Sequence, residues 1–471
     1  MQSRRASSEA VLAPWPFLHK VRPNGLLTAM RYRGKRVTVM GLGHFGGGVA
    51  AARWLARQGA VVTVTDLADE TILADALAAL GDVPIARTHL GGHREDDFRD
   101  AEVVVVNPAV RPGNRLLEIA RKSGARLSSE IELFLEATAA RTIGVTGSNG
   151  KSTTAAMTAA ILRAAGQNAW LGGNIGQSLL DQLDRIESDD WAVLELSSFQ
   201  LWYLGPSVPM PQIAVITNCT PNHLDWHTDY RQYQSAKQRL LVGQSDDDAA
   251  VLNTLDPEVR GWHAKVRGKL FSLPSLEDMP LLSVPGMHNR INAALAAAAA
   301  RAAGCDEAAI VRGLQSYEPL GQRLEPVATV DGRTFYNDSA STTPESTIAA
   351  LQSLDRPVWL LAGGRDKGSD FGPMALSIVE NAQGAAFFGM VAPRLRDMVV
   401  AQSLELPSSA LPCLATETLD QAFSWCWQSS RPGDAIVLSP GCASSDQFQN
   451  YRARGERFVE LVRAIDSVHQ R

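Results

Sequence analysis

Short apolar runs rich in β-branched residues alternate with helical segments from Arg36 onward. RVTVMGLG and VVTVTD are the first two runs, the helical segment Ala50–Arg57 lies between them, and Val103–Val106 repeats the pattern. Strand, helix and strand at short spacing are typical of βαβ units, which build parallel sheets. The pattern predicts a first α/β domain at residues 31–139.

The alternation restarts twice along the chain. TIGVTG, WAVLELS, QIAVITN and the weaker KVRGKLFSL form a second series of strands, which ends with an alanine-rich buried helix at Asn289–Ala303. RTFYNDS, PVWLLAGG, GAAFFG and DAIVLSP form a third series. We therefore predict an α/β protein with three domains, at residues 31–139, 140–320 and 321–471. Residues 1–30 lack periodicity and are expected to form a disordered extension.

Composition narrows the class of protein. The 471 residues carry a net charge of −5, and the isoelectric point near 6.0 and the absence of a basic tract exclude an electrostatic nucleic-acid binder. Five scattered cysteines without a CxxC pair predict neither a disulfide framework nor a zinc knuckle. No apolar run suits a signal peptide or a membrane span. We expect a soluble protein of the reducing cytoplasm, without a nucleic-acid or membrane partner.

The segment VTGSNGKSTT gives the strongest local indication of chemistry. A buried strand ends, two glycines permit tight turns and a lysine opens a helix, so backbone N–H groups and an ammonium group converge on an anion. The spacing G-x-x-G-K-S-T is two residues shorter than the usual Walker A loop, and the hydroxyls after the lysine can serve Mg²⁺. We predict that ATP is bound by Gly147, Ser148, Asn149, Gly150, Lys151, Ser152 and Thr153.

A second glycine-rich turn lies in the first domain, where GLGHFGGG follows a strand and Asp66 ends the next strand. This arrangement imitates the dinucleotide fingerprint, in which an acidic residue binds the ribose. By itself it fits an NAD-dependent dehydrogenase, but the same turn can hold any nucleotide diphosphate, including a UDP-sugar. Two separate phosphate-binding turns indicate two nucleotides, one of them ATP.

The ordered motifs resemble the Mur ligase family of peptidoglycan synthesis over nearly all of residues 34–465. The resemblance is carried by TGSNGKST, GGNIG, LELSSFQL, NCTPNHLDWH, SAKQRL, GMHNRINAA, QRLEP, YNDSASTTPESTIAAL, LLAGGRDKGSDF and LSPGCASSDQFQNYRARGERF. It implies a Rossmann-like UDP-binding domain, a central P-loop-type ATP-binding domain and a Rossmann-like C-terminal domain. It also implies that ATP converts the carboxylate of UDP-N-acetylmuramoyl-L-alanine to an acyl phosphate, which the amine of D-glutamate attacks.

The resemblance also implies roles for individual residues. Lys151, Glu195, His223 and Lys237 would form the catalytic set. Glu195 and the Ser152 hydroxyl would hold one Mg²⁺, and His223 with Lys237 would serve a second. An ammonium group has no lone pair for a metal, and the resemblance implies that Lys237 is carbamylated to N6-carboxylysine. On composition alone, Lys237 would be an exposed helix lysine.

The remaining implied contacts belong to the three substrates. ATP would also contact Asn289, Asn292, Arg323 and Asp338. The UDP-sugar would contact Gly43, His44, Phe45, Asp66, Asn107, Pro108, Asn174, Ser197 and Gln200. The incoming glutamate would contact Thr342, Lys367, Ser444 and Tyr451. Helix capping is an alternative role for the two asparagines on the ATP side.

Four positions depart from the pattern of the members that add D-glutamate. Ala340 stands where they have a lysine, Gln322 replaces a histidine, and Ser445 and Tyr451 replace a leucine and a phenylalanine. A minority of related ligases use L-glutamate and share an NDSxSTTP stretch, so addition of L-glutamate is an alternative. A folylpolyglutamate-type ligase and a non-catalytic nucleotide-binding regulator are further alternatives, although the first lacks a glycine-rich UDP domain and the second needs no second metal site. We expect a monomer.

Overall fold

The computed structural model describes residues 31–43, 46–224, 226–284, 286–366, 369–404 and 411–469. The predicted N-terminal extension, His44, Phe45 and Lys367 therefore lie outside the described residues. Within the described ranges, no helix combines the length and the apolar character needed to cross a membrane.

The first unit is a parallel sheet with helices packed on it. Its strands are β1 (Arg36–Met40), β2 (Val61–Thr65), β3 (Ile85–His89), β4 (Val103–Val106) and β5 (Arg126–Ser128), and its helices are α1 (Gly47–Arg57), α2 (Ala74–Leu80), α3 (Glu95–Arg99), α4 (Arg115–Lys122) and α5 (Glu130–Ala137). The strand order is β3-β2-β1-β4-β5, and every pairing is parallel. Alternate valines of β4 pack into different cores, so both faces of the sheet are covered. The order reverses between β1 and β4, which opens a crevice at their carboxyl ends.

The second unit has six parallel strands in the order β11-β10-β9-β6-β8-β7. These are β6 (Arg141–Thr146), β7 (Ala169–Gly173), β8 (Trp191–Glu195), β9 (Ile213–Ile216), β10 (Ala249–Leu252) and β11 (Lys269–Phe271). Its α-helices are α6 (Lys151–Ala164), α7 (Ser198–Tyr203), α8 (Tyr230–Val242), α9 (Pro257–Arg260), α10 (Met287–Ala302) and α11 (Glu307–Gln315), and 3₁₀ turns lie at Leu179–Arg185 and Gly261–Lys265. The central position of β6 brings its following loop beside the loops after β8 and β9.

The third unit adds six strands and five helices. They are β12 (Glu325–Val330), β13 (Arg333–Asn337), β14 (Val358–Gly363), β15 (Gly384–Phe388), β16 (Cys413–Ala415), β17 (Ala435–Leu438), α12 (Pro344–Leu351), α13 (Gly372–Asn381), α14 (Ala392–Leu404), α15 (Leu419–Ser429) and α16 (Tyr451–His469). The order is β12-β13-β17-β14-β15-β16, and only the β12–β13 pairing is antiparallel. These strands form a mixed sheet with one antiparallel edge.

The predicted fold class, α/β with three sheet-based units, is confirmed. The alanine-rich segment is a buried helix as predicted, because α10 packs against α6 and its alanines leave little space between the two axes. The edge strand β12 was not predicted. It joins β13 through Asp331 and Gly332, which both have positive φ, at 47° and 71°. An Asp-Gly turn of this kind is a hairpin signal, so the sequence did contain the information for β12.

Candidate active site

The loop between β6 and α6 has the geometry of a phosphate cradle. Gly147 has φ 155° and Gly150, the N-cap of α6, has φ 78°. A Cβ atom on Gly147 would lie 1.8 Å from Thr217 Oγ1, and one on Gly150 would lie 2.3 Å from Asn292 Oδ1. Only glycine fits either position. The backbone of the loop therefore turns tightly into the first N–H groups of α6.

Residues after β9 hold this loop in place. Asn218 Oδ1 accepts hydrogen bonds from the backbone nitrogens of Asn149, at 2.8 Å, and Ser148, at 3.1 Å. Thr217 Oγ1 donates to the carbonyl of Asn149, and the hydroxyls of Ser148 and Tyr233 lie 2.9 Å apart. Thr217, Asn218 and Tyr233 were not predicted as site residues. The signal was available, because NCTPNH directly follows a buried strand beside β6.

The four residues implied as catalytic line one cleft, of about 260 Å³, above the phosphate loop. We call it the catalytic cleft. Lys151 Nζ donates to the carbonyl of Ser148 at 2.7 Å. Glu195 is 2% exposed and accepts hydrogen bonds from Ser152 Oγ and, at 2.9 Å, from Asn174 Nδ2. Glu195 is the one acidic side chain among the described residues of the lining, which also includes two lysines and an arginine. This excess of positive charge suits a polyphosphate.

Lys237 is buried, so its interpretation as an exposed helix lysine is wrong. It is 1% exposed on α8, its Nζ donates to the carbonyl of Gly147 at 2.6 Å, and Nζ lies 4.4 Å from the ring centre of Tyr233. No ion pair with an acidic side chain forms at Lys237 in the described part of the chain. Burial, reinforced by the charge of Lys151, lowers the pKa of Lys237 well below its ordinary value. Burial therefore shifts the protonation equilibrium of this amine toward its neutral form.

His223 also lines the catalytic cleft. Its backbone has φ 56°, and its ring packs edge-on against Phe199 with centroids 4.7 Å apart. Across the residues that the structure describes, no group of three or more His, Cys, Asp or Glu side chains could hold a metal ion. A metal in this cleft would therefore need further oxygen ligands, such as the Ser152 hydroxyl or a carboxylated Lys237.

A second cavity, the nucleotide pocket, lies on the other side of the phosphate loop and has a volume of about 160 Å³. It is lined by Asn149, Gly150, Thr153, His288, Asn289, Asn292, Tyr317, Arg323 and Asp338, among others. Both asparagines line this pocket, and the N-cap residue of α10 is Gly286, which has no side chain to cap the helix. Sequence reasoning missed His288, which lies within the GMHNRINAA motif, and Tyr317, which shortly precedes the QRLEP motif.

Arg323 and Asp338 connect the third unit to the nucleotide pocket. Arg323 Nη2 donates to Ser152 Oγ of the second unit at 2.7 Å. Asp338 accepts hydrogen bonds from the backbone nitrogen of Leu324 at 3.0 Å and from Ser439 Oγ at 2.7 Å, and burial raises its pKa to about 6. The third unit therefore closes directly over the loop that carries the phosphate-binding groups.

A third cavity, of about 390 Å³, lies at the crevice between β1 and β4, and we call it the glycine-loop pocket. Its lining includes the predicted residues Gly43, Asn107, Pro108, Asn174 and Gln200. Gly43 is required there, because a Cβ atom would lie 2.8 Å from Asn107 Nδ2. Asn174 also lines the catalytic cleft, so the two cavities adjoin.

Among the described members of the predicted UDP-sugar set, two are not in this lining. Asp66 instead supports the glycine-rich turn, because its carboxylate accepts from the backbone nitrogens of Leu42 and Ala68, both at 2.9 Å. Ser197 caps α7 in a reciprocal pair with Gln200, and it lines the catalytic cleft. Both residues therefore shape the site by holding local backbone.

The structure brings together only some of the residues that the resemblance implies for glutamate binding. Thr342 and Tyr451 line the catalytic cleft, and Ala340, where other members have a lysine, lies beside them. Ser444 is buried and is not part of that lining.

The fold and the site define a nucleotide-dependent enzyme with a phosphate cradle, a cationic cleft and an adjoining glycine-lined pocket. Residues 35–129 match the family model described as Mur ligase MurD-like, N-terminal domain. Residues 145–274 match the Mur ligase middle domain, and residues 322–442 match the Mur ligase glutamate ligase domain. The chain belongs to the Mur ligase family.

Curated relatives agree with this assignment. A protein of Roseiflexus sp. (strain RS-1) named UDP-N-acetylmuramoylalanine–D-glutamate ligase is 37% identical, covering 93% of this chain and 100% of the relative. A protein of the same name from Symbiobacterium thermophilum is 35% identical, covering 92% and 98%. Among solved structures, UDP-N-acetylmuramate-alanine ligase MurC of Thermotoga maritima has a TM-score of 0.60 at 20% identity, covering 91% of this chain and 99% of that one. This last likeness concerns the fold alone.

Proposed function

We propose that this chain is a monomeric ATP-dependent ligase that joins D-glutamate to UDP-N-acetylmuramoyl-L-alanine in the cytoplasm. The observation that carries the proposal is the convergence of Lys151, Glu195, His223 and Lys237 on one phosphate loop, next to a separate glycine-loop pocket. The relatives named for this reaction share about a third of its residues over most of their length. Residues 35–129 match a MurD-like N-terminal domain, and this match argues against a folylpolyglutamate-type ligase, which lacks such a domain.

The charges in the cleft address the main obstacle to this reaction, which is the approach of a carboxylate to a polyanionic triphosphate. The UDP-sugar would lie in the glycine-loop pocket with its carboxylate reaching past Asn174 into the catalytic cleft. A carboxylate oxygen attacks the γ-phosphorus, ADP leaves, and the acyl phosphate forms. The glutamate amine then attacks the acyl carbon and phosphate leaves. Lys151 and Arg323 stabilise the charge that builds on the transferred group.

The side chains of the cleft fit Mg²⁺ in part. Glu195 and the Ser152 hydroxyl, which already contact each other, offer the oxygen donors that this ion prefers. His223 with Lys237 would serve a second ion if Lys237 carries a carboxylate group. Bound Mg²⁺ would neutralise phosphate charge. The buried amine, which forms no ion pair with an acidic side chain among the described residues, is suited to carbamylation, because a neutral amine reacts with CO₂ and the resulting anion is one that a cationic cleft stabilises.

Addition of L-glutamate is the second candidate function. Ala340 in the wall of the catalytic cleft favours it, because the members that add D-glutamate have a lysine at this place in the motif. A missing ammonium group changes where the carboxylates of the incoming amino acid are held. Thr342 and Tyr451 remain as the contacts that orient glutamate in the described part of the cleft.

An ADP-release assay with purified protein separates these functions. We expect release to require ATP, UDP-N-acetylmuramoyl-L-alanine and D-glutamate together, and to be absent from the Lys151→Ala variant. Turnover with L-glutamate and none with D-glutamate would select the second candidate. Turnover with a folate and glutamate, without the UDP-sugar, would instead support a folylpolyglutamate-type ligase.

A further inference from the structure

The glycine-loop pocket is completed by the third unit. Most of its lining comes from the first and second units, but Tyr451 and Arg452, the first residues of α16, form part of its wall. Tyr451 also lines the catalytic cleft. The start of α16 therefore stands between the two cavities, and a ligand in the glycine-loop pocket meets the third unit.

The charges lining this pocket are few. In the part of the lining that the structure describes, Glu130 is the one acidic side chain and Arg452 the one cationic side chain. A Cβ atom on Gly47, in the first turn of α1, would lie 3.8 Å from Glu130 Cγ, so the carboxyl group lies beside the helix N-terminus. A diphosphate brings about two negative charges, while a helix N-terminus contributes roughly half a positive charge. Among the described lining residues, Arg452 is the side chain that can supply a further positive charge.

The backbone of Arg452 is held by hydrogen bonds, and on its exposed side chain the guanidinium carbon lies 5.9 Å from the ring centre of Tyr451. Its nitrogen donates to Asn450 Oδ1 at 2.9 Å, and its carbonyl accepts from Gln322 Nε2 at 3.0 Å. The carbonyl of Tyr451 accepts from Ser339 Oγ at 2.7 Å. Gln322 follows the junction between the second and third units, so the position of Arg452 is tied to the placement of the third unit.

We propose that Arg452, which the third unit contributes, binds the diphosphate of the UDP-sugar. The inference rests on the proposed function, which assigns the glycine-loop pocket to a UDP-sugar. A guanidinium group suits this task because its parallel N–H donors match two phosphate oxygens. The side chain is thus a binding residue for the first substrate, supplied by the domain that receives the second.

Direct binding of UDP tests the contact without catalysis. Calorimetry with wild type, Arg452→Gln, Arg452→Lys and the control Arg463→Gln is the experiment. Arg463 is an exposed arginine about three helical turns further along α16. We expect UDP to bind about tenfold more weakly to Arg452→Gln, as for loss of a charge-assisted hydrogen bond. Arg452→Lys should lose less, and Arg463→Gln should match wild type. Unchanged UDP affinity in Arg452→Gln, or no UDP binding by wild type, would overturn the proposal.

Steady-state kinetics then locate the contact on the substrate. Arg452→Gln should raise the KM for UDP-N-acetylmuramoyl-L-alanine about tenfold, with kcat and the KM for ATP near wild type. With phosphate-free N-acetylmuramoyl-L-alanine, the variant and wild type should have equal kcat/KM. Equal losses on both substrates, or a raised KM for glutamate alone, would contradict a diphosphate contact. If the wild-type protein binds UDP but releases no ADP in the ligase assay, the proposed ligase function is wrong. The UDP affinities of wild type and Arg452→Gln would still decide whether Arg452 contacts the diphosphate.

Discussion

Replacement of Lys237 by alanine tests whether this side chain carries a carboxylate group. Lys237 is fully buried, donates to the carbonyl of Gly147 and has no acidic partner among the described residues, although it lies in the same cleft as Glu195 and His223. An ammonium group at this position would add positive charge beside any bound Mg²⁺. A carbamate would instead supply an anionic oxygen ligand to that ion.

The expected losses of activity and stability follow from the groups that the Lys237→Ala substitution removes. Loss of a charged metal ligand from a water-poor site should cost several kcal/mol of transition-state stabilisation, and about 4 kcal/mol corresponds to roughly a thousandfold in rate. The substitution also removes three buried methylene groups, and the loss of each should reduce the free energy of unfolding by about 0.8 kcal/mol. Removing this buried amine also removes the cost of burying a polar group, which offsets part of that loss, so the variant should fold. Activity should therefore fall far more than stability.

The assay is ADP release, with folding checked by circular dichroism. Lys237→Ala should lose nearly all activity, and acetate or formate should restore part of it by entering the vacated space. Lys237→Arg should not be rescued, because the guanidinium stays charged and fills that space. Wild type should lose activity in CO₂-free buffer and regain it with bicarbonate, whereas the exposed-lysine control Lys265→Ala should behave like wild type. Full activity of Lys237→Ala without added carboxylate would refute the reasoning.

Three further predictions concern the loop and the pocket. Lys151→Ala should release no ADP while keeping its circular dichroism spectrum, and a near wild-type rate would remove the loop from the mechanism. Gly147→Ala should destabilise by about 1–3 kcal/mol in urea unfolding, because its Cβ would meet Thr217 Oγ1; an unchanged midpoint would contradict the close approach. Burial and the negative charge of Asp181 raise the pKa of Glu130 from 4.5 to about 7. The folded state therefore holds this proton more tightly than the unfolded state, and the free energy of unfolding falls as the pH rises from 4.5 to about 7. Glu130→Gln should thus melt above wild type at pH 8 and match it near pH 4.5, and equal melting at pH 8 would refute this.

The local sequence was sufficient to predict those features of the structure that depend on residues close together in the chain. The phosphate loop required only a buried strand, two glycines that can adopt positive φ and a lysine at a helix start, and all three are visible in VTGSNGKSTT. The alternation of strands and helices likewise predicted the fold class, because parallel sheets demand a crossover between strands. The Asp-Gly turn before β13 carried equally local information that the prediction did not use.

Only the tertiary structure decided which distant residues share the cleft. The burial of Lys237 depends on what packs over α8, and its own helix is polar enough to predict an exposed position. The contact from Arg323 to Ser152 and the presence of Arg452 in the wall of the glycine-loop pocket depend on how the third unit is placed against the other two. Hydrophobic periodicity fixes which face of an element is buried but not which element covers it, since that choice depends on contacts between residues hundreds of positions apart.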